Sequence, residues 1–111
     1  MTRGRAVDLA LSALADPARR RTIELLSREP RRAGDLAAAL GLPAPAMSRH
    51  LKALKEGGLV EEAFADFDSR VRIYSLKSGA LDGLKQWLAS TEDMWTDQLG
   101  AFRAHVKARR K

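Results

Sequence analysis

The sequence predicts a mainly helical domain with one small β-hairpin. Apolar residues recur at helical spacing through the first half of the chain and again from Ser78 onward. Between these parts, two short extended runs flank a polar tetrapeptide at residues 66–69. The expected order is four helices, two strands and a final helix, with residues 1–111 forming one domain.

Three short helices are expected before Gly41. The first covers residues 6–15 and has apolar residues at helical spacing, namely Val7, Leu11 and Leu14. Asp16-Pro17 places an N-cap and a first-turn proline at the start of a second helix that runs to about Ser27. Its apolar side is expected to be Ile23, Leu25 and Leu26, and its cluster Arg19, Arg20 and Arg21 opposes the helix dipole, so a phosphate or Glu24 should offset it. The third helix covers residues 33–40.

The fourth helix begins near Ala44 and is short and basic. Met47, Leu51 and Leu54 fall on one face, which leaves the cationic side chains on the other faces. Gly57 and Gly58 are expected to supply a left-handed cap. The third helix, a turn containing Gly41 and this fourth helix together make a helix-turn-helix, whose second helix suits the major groove of DNA.

A hairpin is expected to follow the fourth helix, with strands over residues 59–65 and 71–76. Arg70 and Arg72 alternate with Val71 and Ile73, so the two arginines share one face of the strand. They either contact DNA, as a wing does, or form a solvated face balanced by Asp66 and Asp68. The predicted fold is therefore a winged helix-turn-helix.

The final helix is expected over residues 78–107, with a break near Ser90-Thr91. Its apolar residues recur at spacings of three, four or seven and would form a stripe for association, namely Leu81, Leu84, Leu88, Trp95, Leu99, Phe102 and Val106. A chain of 111 residues has only a small core, so burial against a second subunit would help. We therefore expect an oligomer.

Charge is distributed unevenly along the chain. Residues 17–55 contain nine basic and three acidic residues, whereas residues 56–100 contain four and nine, and the tail from residue 101 contains five basic residues. The absence of Cys excludes disulfides and thiolate metal sites. No apolar run approaches the roughly 18 residues of a membrane span, and the first residues do not read as a signal peptide, so a cytoplasmic location is expected.

The chain resembles the ArsR family of bacterial winged-helix repressors. The matching segments cover nearly the whole chain in order and are ALADPARR at residues 13–20, DLAA at 35–38, SRHLKAL at 48–54, GLV at 58–60 and RVRIYSL at 70–76. The tail, from Trp87 to Val106, is similar to a metal-independent branch of that family. The resemblance implies a homodimer that pairs its first and last helices and binds the two half-sites of an inverted repeat. Such a dimer represses by blocking a promoter, often its own. No cofactor is expected.

Two departures from the family pattern affect the expected chemistry. Sensing members carry Cys in the helix-turn-helix, or Asp, His and Glu ligands on the last helix, whereas in this chain only Asp82 matches that ligand pattern, with His105 far away. Zinc needs about four converging ligands, so no metal sensing is expected. At the start of the fourth helix, Pro43, Ala44 and Ala46 replace a Ser cap and two base-contacting residues, so base reading should depend on Ser48 and Arg49, on thymine-methyl contacts or on DNA shape.

These considerations give two sets of candidate residues. The expected DNA-binding residues are Arg32, Ala44, Ala46, Ser48, Arg49, His50, Lys52, Arg70 and Arg72. The expected dimer-interface residues are Val7, Leu11, Leu81, Leu84, Leu88, Trp95, Leu99 and Phe102. His50 has a competing interpretation as a half-buried ring that satisfies a backbone group. Trp87 and Trp95 belong either to the core or interface, or to a pocket for a small-molecule effector that the sequence does not identify.

Three classes of function fit these features to different degrees. A dimeric transcriptional repressor that binds operator DNA accounts for the most features. The alternative is a winged-helix module that binds protein through the hairpin and long helix, with incidental DNA affinity. An enzyme is not expected, because the chain has no Cys, no His and carboxylate at a catalytic spacing, and no glycine-rich phosphate loop.

Overall fold

The computed structural model describes residues 3–65 and 68–109. Within these residues the chain forms five helices and one three-stranded sheet. The elements are α1 (Arg3–Leu14), α2 (Pro17–Leu26), β1 (Arg31–Arg32), α3 (Ala33–Leu40), α4 (Ala44–Glu56), β2 (Val60–Ala65), β3 (Asp68–Leu76) and α5 (Asp82–Arg109). This is the mainly helical winged helix-turn-helix architecture that the sequence predicts.

The cap between α1 and α2 is formed as the sequence predicts, and the buried side of α1 is made mainly by small residues. Asp16 has extended backbone, and its side chain accepts hydrogen bonds from the amides of Ala18 and Arg19. On α1 the fully buried residues are Val7, Ala10 and Ala13, whereas Leu11 is exposed. Leu11, which is expected in the dimer interface, therefore does not share the buried face of α1 that contains Val7.

α2 is confirmed, but its most deeply buried residue is polar. Thr22 is completely buried, and its hydroxyl donates a hydrogen bond to the Ala18 carbonyl at 2.8 Å. Leu26 is buried beside it, and Ile23 and Leu25 are half-buried. The Arg20 guanidinium donates to the Leu14 carbonyl at 2.7 Å, so it caps the end of α1 instead of pairing with Glu24. A cation there interacts favourably with the dipole of α1.

α4 has the buried face that its sequence predicts, with Met47, Leu51 and Leu54 in the core. The prediction for its end is half right. Gly58 has a φ of 74° and supplies the left-handed residue, but Gly57 has a φ of −75°, which any residue can adopt. Gly57 is required for space instead, because a Cβ there would lie 2.9 Å from the Cβ of Ala13.

The sheet has the order β1-β3-β2, and both pairs are antiparallel. The stem of the hairpin runs in unbroken register from Val60 opposite Leu76 to Phe64 opposite Arg72, and the register shifts after Phe64. β3 begins at Asp68, earlier than the expected residue 71, because strand pairing extends into the polar tetrapeptide. The remaining expected turn residues, 66 and 67, lie outside the described part of the chain.

β1 was not expected from the sequence. Its two residues pair with β3, Arg31 opposite Tyr74 and Arg32 opposite Ile73. Arg32 is also the N-cap residue of α3, which has no side-chain cap. The sheet therefore connects the helix-turn-helix directly to the hairpin.

α5 is one continuous helix of 28 residues. It starts at Asp82, after a turn over residues 78–81, and passes through Ser90-Thr91 without the expected break, because neither glycine nor proline is present there. None of its residues is buried. Within residues 3–65 and 68–109, no helix combines the length and the apolar character needed to cross a bilayer.

Candidate DNA-binding site

The surface of α4 opposite the core presents the residues expected to meet DNA. Ser48, Arg49 and Lys52 are exposed at spacings of one, three and four residues, so they share a face that points away from Met47, Leu51 and Leu54. Such a face, short and cationic, has the chemistry that base edges and phosphates of the major groove require.

The first turn of α4 has no side-chain cap, as the sequence predicts. Its N-cap is Pro43, which makes no side-chain cap hydrogen bond, and Pro45 occupies the first turn. Because proline lacks an amide hydrogen, Pro45 removes one of the donors that the missing cap would have satisfied. Ala44 is exposed and Ala46 is half-buried, so Ala44 offers the more accessible methyl group.

His50 lies on the side of α4 next to the start of α2. It is half-buried, as its competing interpretation requires. Partial burial raises the pKa of Asp16, but hydrogen bonds from the Ala18 and Arg19 amides, with the nearby charges of His50 and Arg19, outweigh that effect and lower it. His50 is therefore near enough to the N-cap of α2 to influence Asp16 electrostatically.

The arginines of the sheet lie in different surroundings. Arg70 and Arg72 are both exposed on β3 and Val71 and Ile73 are half-buried, which confirms the predicted alternation. Arg72 pairs with Glu62, with Nη1 3.5 Å from Oε2, and its guanidinium lies 5.7 Å from the centre of the Phe64 ring. Glu62 is thus an acidic partner of Arg72 that the sequence analysis did not name, and the expected balance by Asp66 and Asp68 lies outside the described side chains. Arg32 is exposed on β1.

A groove between α4 and the hairpin brings several of these residues together. It has a volume of about 300 Å³ and is lined by Ser48, Leu51, Lys52, Lys55, Glu62, Arg72 and Tyr74. The sequence analysis omitted Lys55, Glu62 and Tyr74 from the site. Lys55 Nζ donates a hydrogen bond to Glu62 Oε1, a contact that depends on how the hairpin packs against α4.

Electrostatics in this groove favour an ionised Glu62. The hydrogen bond from Lys55 has the largest effect and, with that from Tyr74 and the charges of Lys55 and Arg72, outweighs partial burial and lowers the pKa of Glu62. Partial burial and the adjacent Glu62 carboxylate raise the pKa of Tyr74. At neutral pH the groove therefore holds one carboxylate between two cations.

The expected dimer residues form an exposed stripe along α5. Trp95 is 66% exposed and Phe102 is 64% exposed, and the other exposed members are Leu81, Leu88 and Leu99. Leu84 is half-buried. Val7 is only 6% exposed, so little of its surface remains for contact with a second protomer. Leu11 is exposed and remains a candidate.

Several cavities lie beside α5. One, of about 170 Å³, is lined by Trp87 together with Gly4, Val7, Gly83, Gln86 and Ser90. Another, of about 250 Å³, lies between the end of α1, α2 and the start of α5 and has mainly apolar walls, including Leu14, Ile23, Leu59 and Leu76. Among the described residues, no cluster of three or more His, Cys, Asp or Glu side chains could hold a metal ion.

Comparison with known proteins identifies the family. The profile of the bacterial regulatory protein arsR family matches residues 16–62, from the cap of α2 into β2. The HTH-type transcriptional regulator Rv2034 of Mycobacterium tuberculosis is 36% identical over 102 residues, which cover 92% of this chain and 90% of that protein. The chain belongs to the ArsR family. It is a DNA-binding transcriptional regulator, and the proteins of this family are not enzymes.

Solved structures extend the ArsR likeness beyond the helix-turn-helix. An ArsR-like transcriptional regulator from Rhodococcus sp. RHA1 has a TM-score of 0.76 at 26% identity, covering 88% of this chain and 90% of that chain. The crystal structure of a possible transcriptional regulator for arsenical resistance is 34% identical, with a TM-score of 0.67, and covers 83% and 93% of the two chains. Both likenesses cover a larger share of the chain than the family profile, which ends at residue 62.

Proposed function

We propose that this ArsR-family regulator is a dimeric repressor that binds an inverted-repeat operator and blocks a promoter, its own among the candidates. The observation that carries the proposal is the pairing of an exposed cationic reading face on α4 with an exposed apolar stripe on α5. The first supplies contact with DNA, and the second supplies a way to present two such faces at once. Repression would result because the bound dimer blocks the promoter. The protein would act in the cytoplasm, where bacterial DNA is located.

The dimer is supported by the shape of the protomer. Its radius of gyration is 19.7 Å, compared with about 13 Å for a compact domain of 100 residues. Most of the difference comes from α5, which extends beyond the other helices and has no buried residue. Pairing of α1 and α5 with a second copy would cover Leu11, Trp95, Leu99 and Phe102.

Sequence reading is assigned to Arg49, with Ser48 and Lys52 contacting the backbone. Arginine can donate two hydrogen bonds to guanine, and a phosphate contact by Ser48 or Lys52 fixes the position of α4 without reading sequence. Ala44 is the better placed of the two alanines for a thymine methyl group. Arg70 and Arg32 would contact phosphates from the hairpin and from the start of α3.

The test is binding of the purified protein to its own upstream DNA and to a scrambled duplex, measured by fluorescence anisotropy at several salt concentrations. We expect the upstream duplex to bind at least about a thousandfold more tightly at moderate salt. Footprinting should then show two half-sites about 34 Å apart. Equal and steeply salt-dependent binding to both duplexes would contradict the proposal and favour the protein-binding module.

A substitution isolates the reading residue. Arg49→Ala should weaken operator binding by about 1 to 3 kcal/mol and leave the dimer intact in sedimentation analysis. Arg103→Ala, on the exposed surface of α5, removes the same charge away from α4 and is the matched control. Equal losses in the two variants would show that Arg49 acts only through its charge.

A further inference from the structure

Glu62 places a negative charge inside the surface that is expected to meet DNA. It lies on β2, between Lys55 of α4 and Arg72 of β3, and its side chain is 21% exposed whereas those of Lys55 and Arg72 are 52% and 58% exposed. Lys55 Nζ donates to one carboxylate oxygen, and Arg72 Nη1 lies 3.5 Å from the other. One carboxylate therefore engages two cations from two different elements.

We propose that Glu62 is a specificity-determining residue, which holds Lys55 and Arg72 away from the phosphates of non-specific DNA. The proposal rests on the proposed function, because it assumes that α4 and the hairpin form the DNA-binding surface. A phosphate that approaches this groove must compete with a carboxylate already bound to both cations. It is also repelled by that carboxylate.

The consequence differs between operator and random DNA. Non-specific binding comes almost entirely from contacts between cations and phosphates, so withholding two cations weakens it directly. Operator binding also draws on base contacts by Arg49, which does not line the groove that contains Glu62. Glu62 thus raises the ratio of specific to non-specific affinity at the cost of some total affinity.

The geometry around Arg72 supports a fixed position for this cation. Its guanidinium lies 5.7 Å from the centre of the Phe64 ring and donates a hydrogen bond to Glu62, and Tyr74 lines the same groove as both partners. Phe64 and Arg72 are direct cross-strand partners in the hairpin stem. The strand register therefore fixes Arg72 beside Phe64, and the hydrogen bond to Glu62 directs its guanidinium toward the groove.

The experiment compares Glu62→Gln with Glu61→Gln. Glu61 is the preceding residue of β2, is exposed, and points to the opposite face of the strand. Both substitutions remove one negative charge, so they change the net charge of the protein equally. Binding of each variant and of the wild type to the scrambled duplex is measured by anisotropy over a series of salt concentrations. Circular dichroism melting checks that each variant is folded.

We expect Glu62→Gln to bind scrambled DNA several-fold more tightly than Glu61→Gln does. Its plot of log affinity against log salt should be steeper by about 0.9 for each additional phosphate that the protein neutralises, and up to two are expected. Affinity for the upstream duplex should rise less, so the ratio of the two affinities falls. Equal affinities and slopes for Glu62→Gln and Glu61→Gln overturn the proposal.

A double-mutant cycle tests the mechanism with a second measurement. Lys55→Gln should change non-specific binding little when Glu62 is present, but should remove part of the increase in affinity in the Glu62→Gln background. Additive effects would overturn the proposal. If the wild type does not prefer its upstream duplex, the proposed function fails, yet the comparison on scrambled DNA still reports whether Glu62 withholds its partners. The two failures are therefore distinguishable.

Discussion

The two ends of this molecule use their apolar residues in opposite ways. From α1 to β3, a core of apolar side chains is buried inside one protomer, and its least accessible members are Leu36, Met47, Leu51, Leu54 and Leu59. Along α5, side chains of equal or larger size remain exposed, Trp95 and Phe102 among them. Helical spacing of apolar residues therefore predicts a face to be covered, but not whether the same chain covers it.

The difference separates two sources of stability. The first region has its own core, so its folding depends on close packing within one chain. α5 contacts α1 but buries none of its residues, so the free energy available from its stripe is realised only when a second surface covers it. Substitutions in the two regions should consequently be measured by different experiments.

The largest effect is expected in the core. Leu54→Ala should lower the free energy of unfolding by about 2–5 kcal/mol, because it removes a completely buried side chain from the packed face of α4. Urea unfolding monitored by circular dichroism measures the loss. Leu99→Ala removes the same atoms from the exposed stripe and should cost less than about 0.5 kcal/mol in dilute protein, where protomers are separate. Equal losses would break the comparison.

The next effect is expected in association. Trp95→Ala should weaken the dimer by about 2 kcal/mol or more, since large aromatic residues dominate the binding energy of most interfaces. Sedimentation equilibrium over a range of concentrations gives the dissociation constant. Asp97→Ala, on the other side of α5, is the control and should leave it unchanged. A wild type that remains monomeric at high concentration would contradict the assignment of the stripe.

A smaller effect is expected where α1 meets the end of α4. Gly57→Ala should destabilise the protein by about 1–3 kcal/mol, because the new Cβ would lie 2.9 Å from the Cβ of Ala13 and 3.2 Å from the Leu9 carbonyl oxygen. Gly34→Ala, in the first turn of α3 where nothing lies within 4 Å, should be neutral or stabilising. Thermal unfolding of both variants gives the comparison, and a neutral Gly57→Ala would show that α1 can move away.

The smallest effect is expected on the surface and depends on pH. The pKa of Glu62 is lowered in the folded protein, so its contribution to stability is present above its ordinary pKa of 4.5 and is lost as pH falls through the folded value. The free energy of unfolding of the wild type should exceed that of Glu62→Gln by about 0.2–1 kcal/mol at neutral pH, and the two values should converge in acid. Unfolding at several pH values measures this, and a constant difference would exclude the ion pairs as its source.

The elements that were predicted well are those whose determinants are local. Asp16-Pro17 fixes the start of α2, and the spacing of Met47, Leu51 and Leu54 fixes the orientation of α4, without reference to distant residues. β1 was missed because a two-residue strand exists only through its pairing with β3. The burial of Thr22 was missed because its hydroxyl is satisfied inside its own helix, which no apolar pattern reveals.

The candidate site was predicted on α4 and only partly on the hairpin. Ser48, Arg49 and Lys52 could be assigned from helical spacing alone. The contacts of Glu62 with Lys55 and Arg72 depend on the hairpin register and on the packing of β2 against α4, and neither can be read from one sequence. The alternation of Arg70 and Arg72 with Val71 and Ile73 gave the correct face of β3, but it did not indicate that Glu62 is a partner of Arg72.

The pairing of β1 with β3 has a mechanical consequence. Arg32 belongs to the sheet and to the start of α3 at once, so a bend of the hairpin is transmitted to that helix through two backbone pairs. α3 packs against α4, and the tilt of the hairpin and the tilt of the reading helix cannot change independently. With the DNA-binding face on α4 as proposed, we expect a duplex that displaces the hairpin also to alter the angle at which Arg49 meets that duplex, so that affinity depends on local DNA curvature.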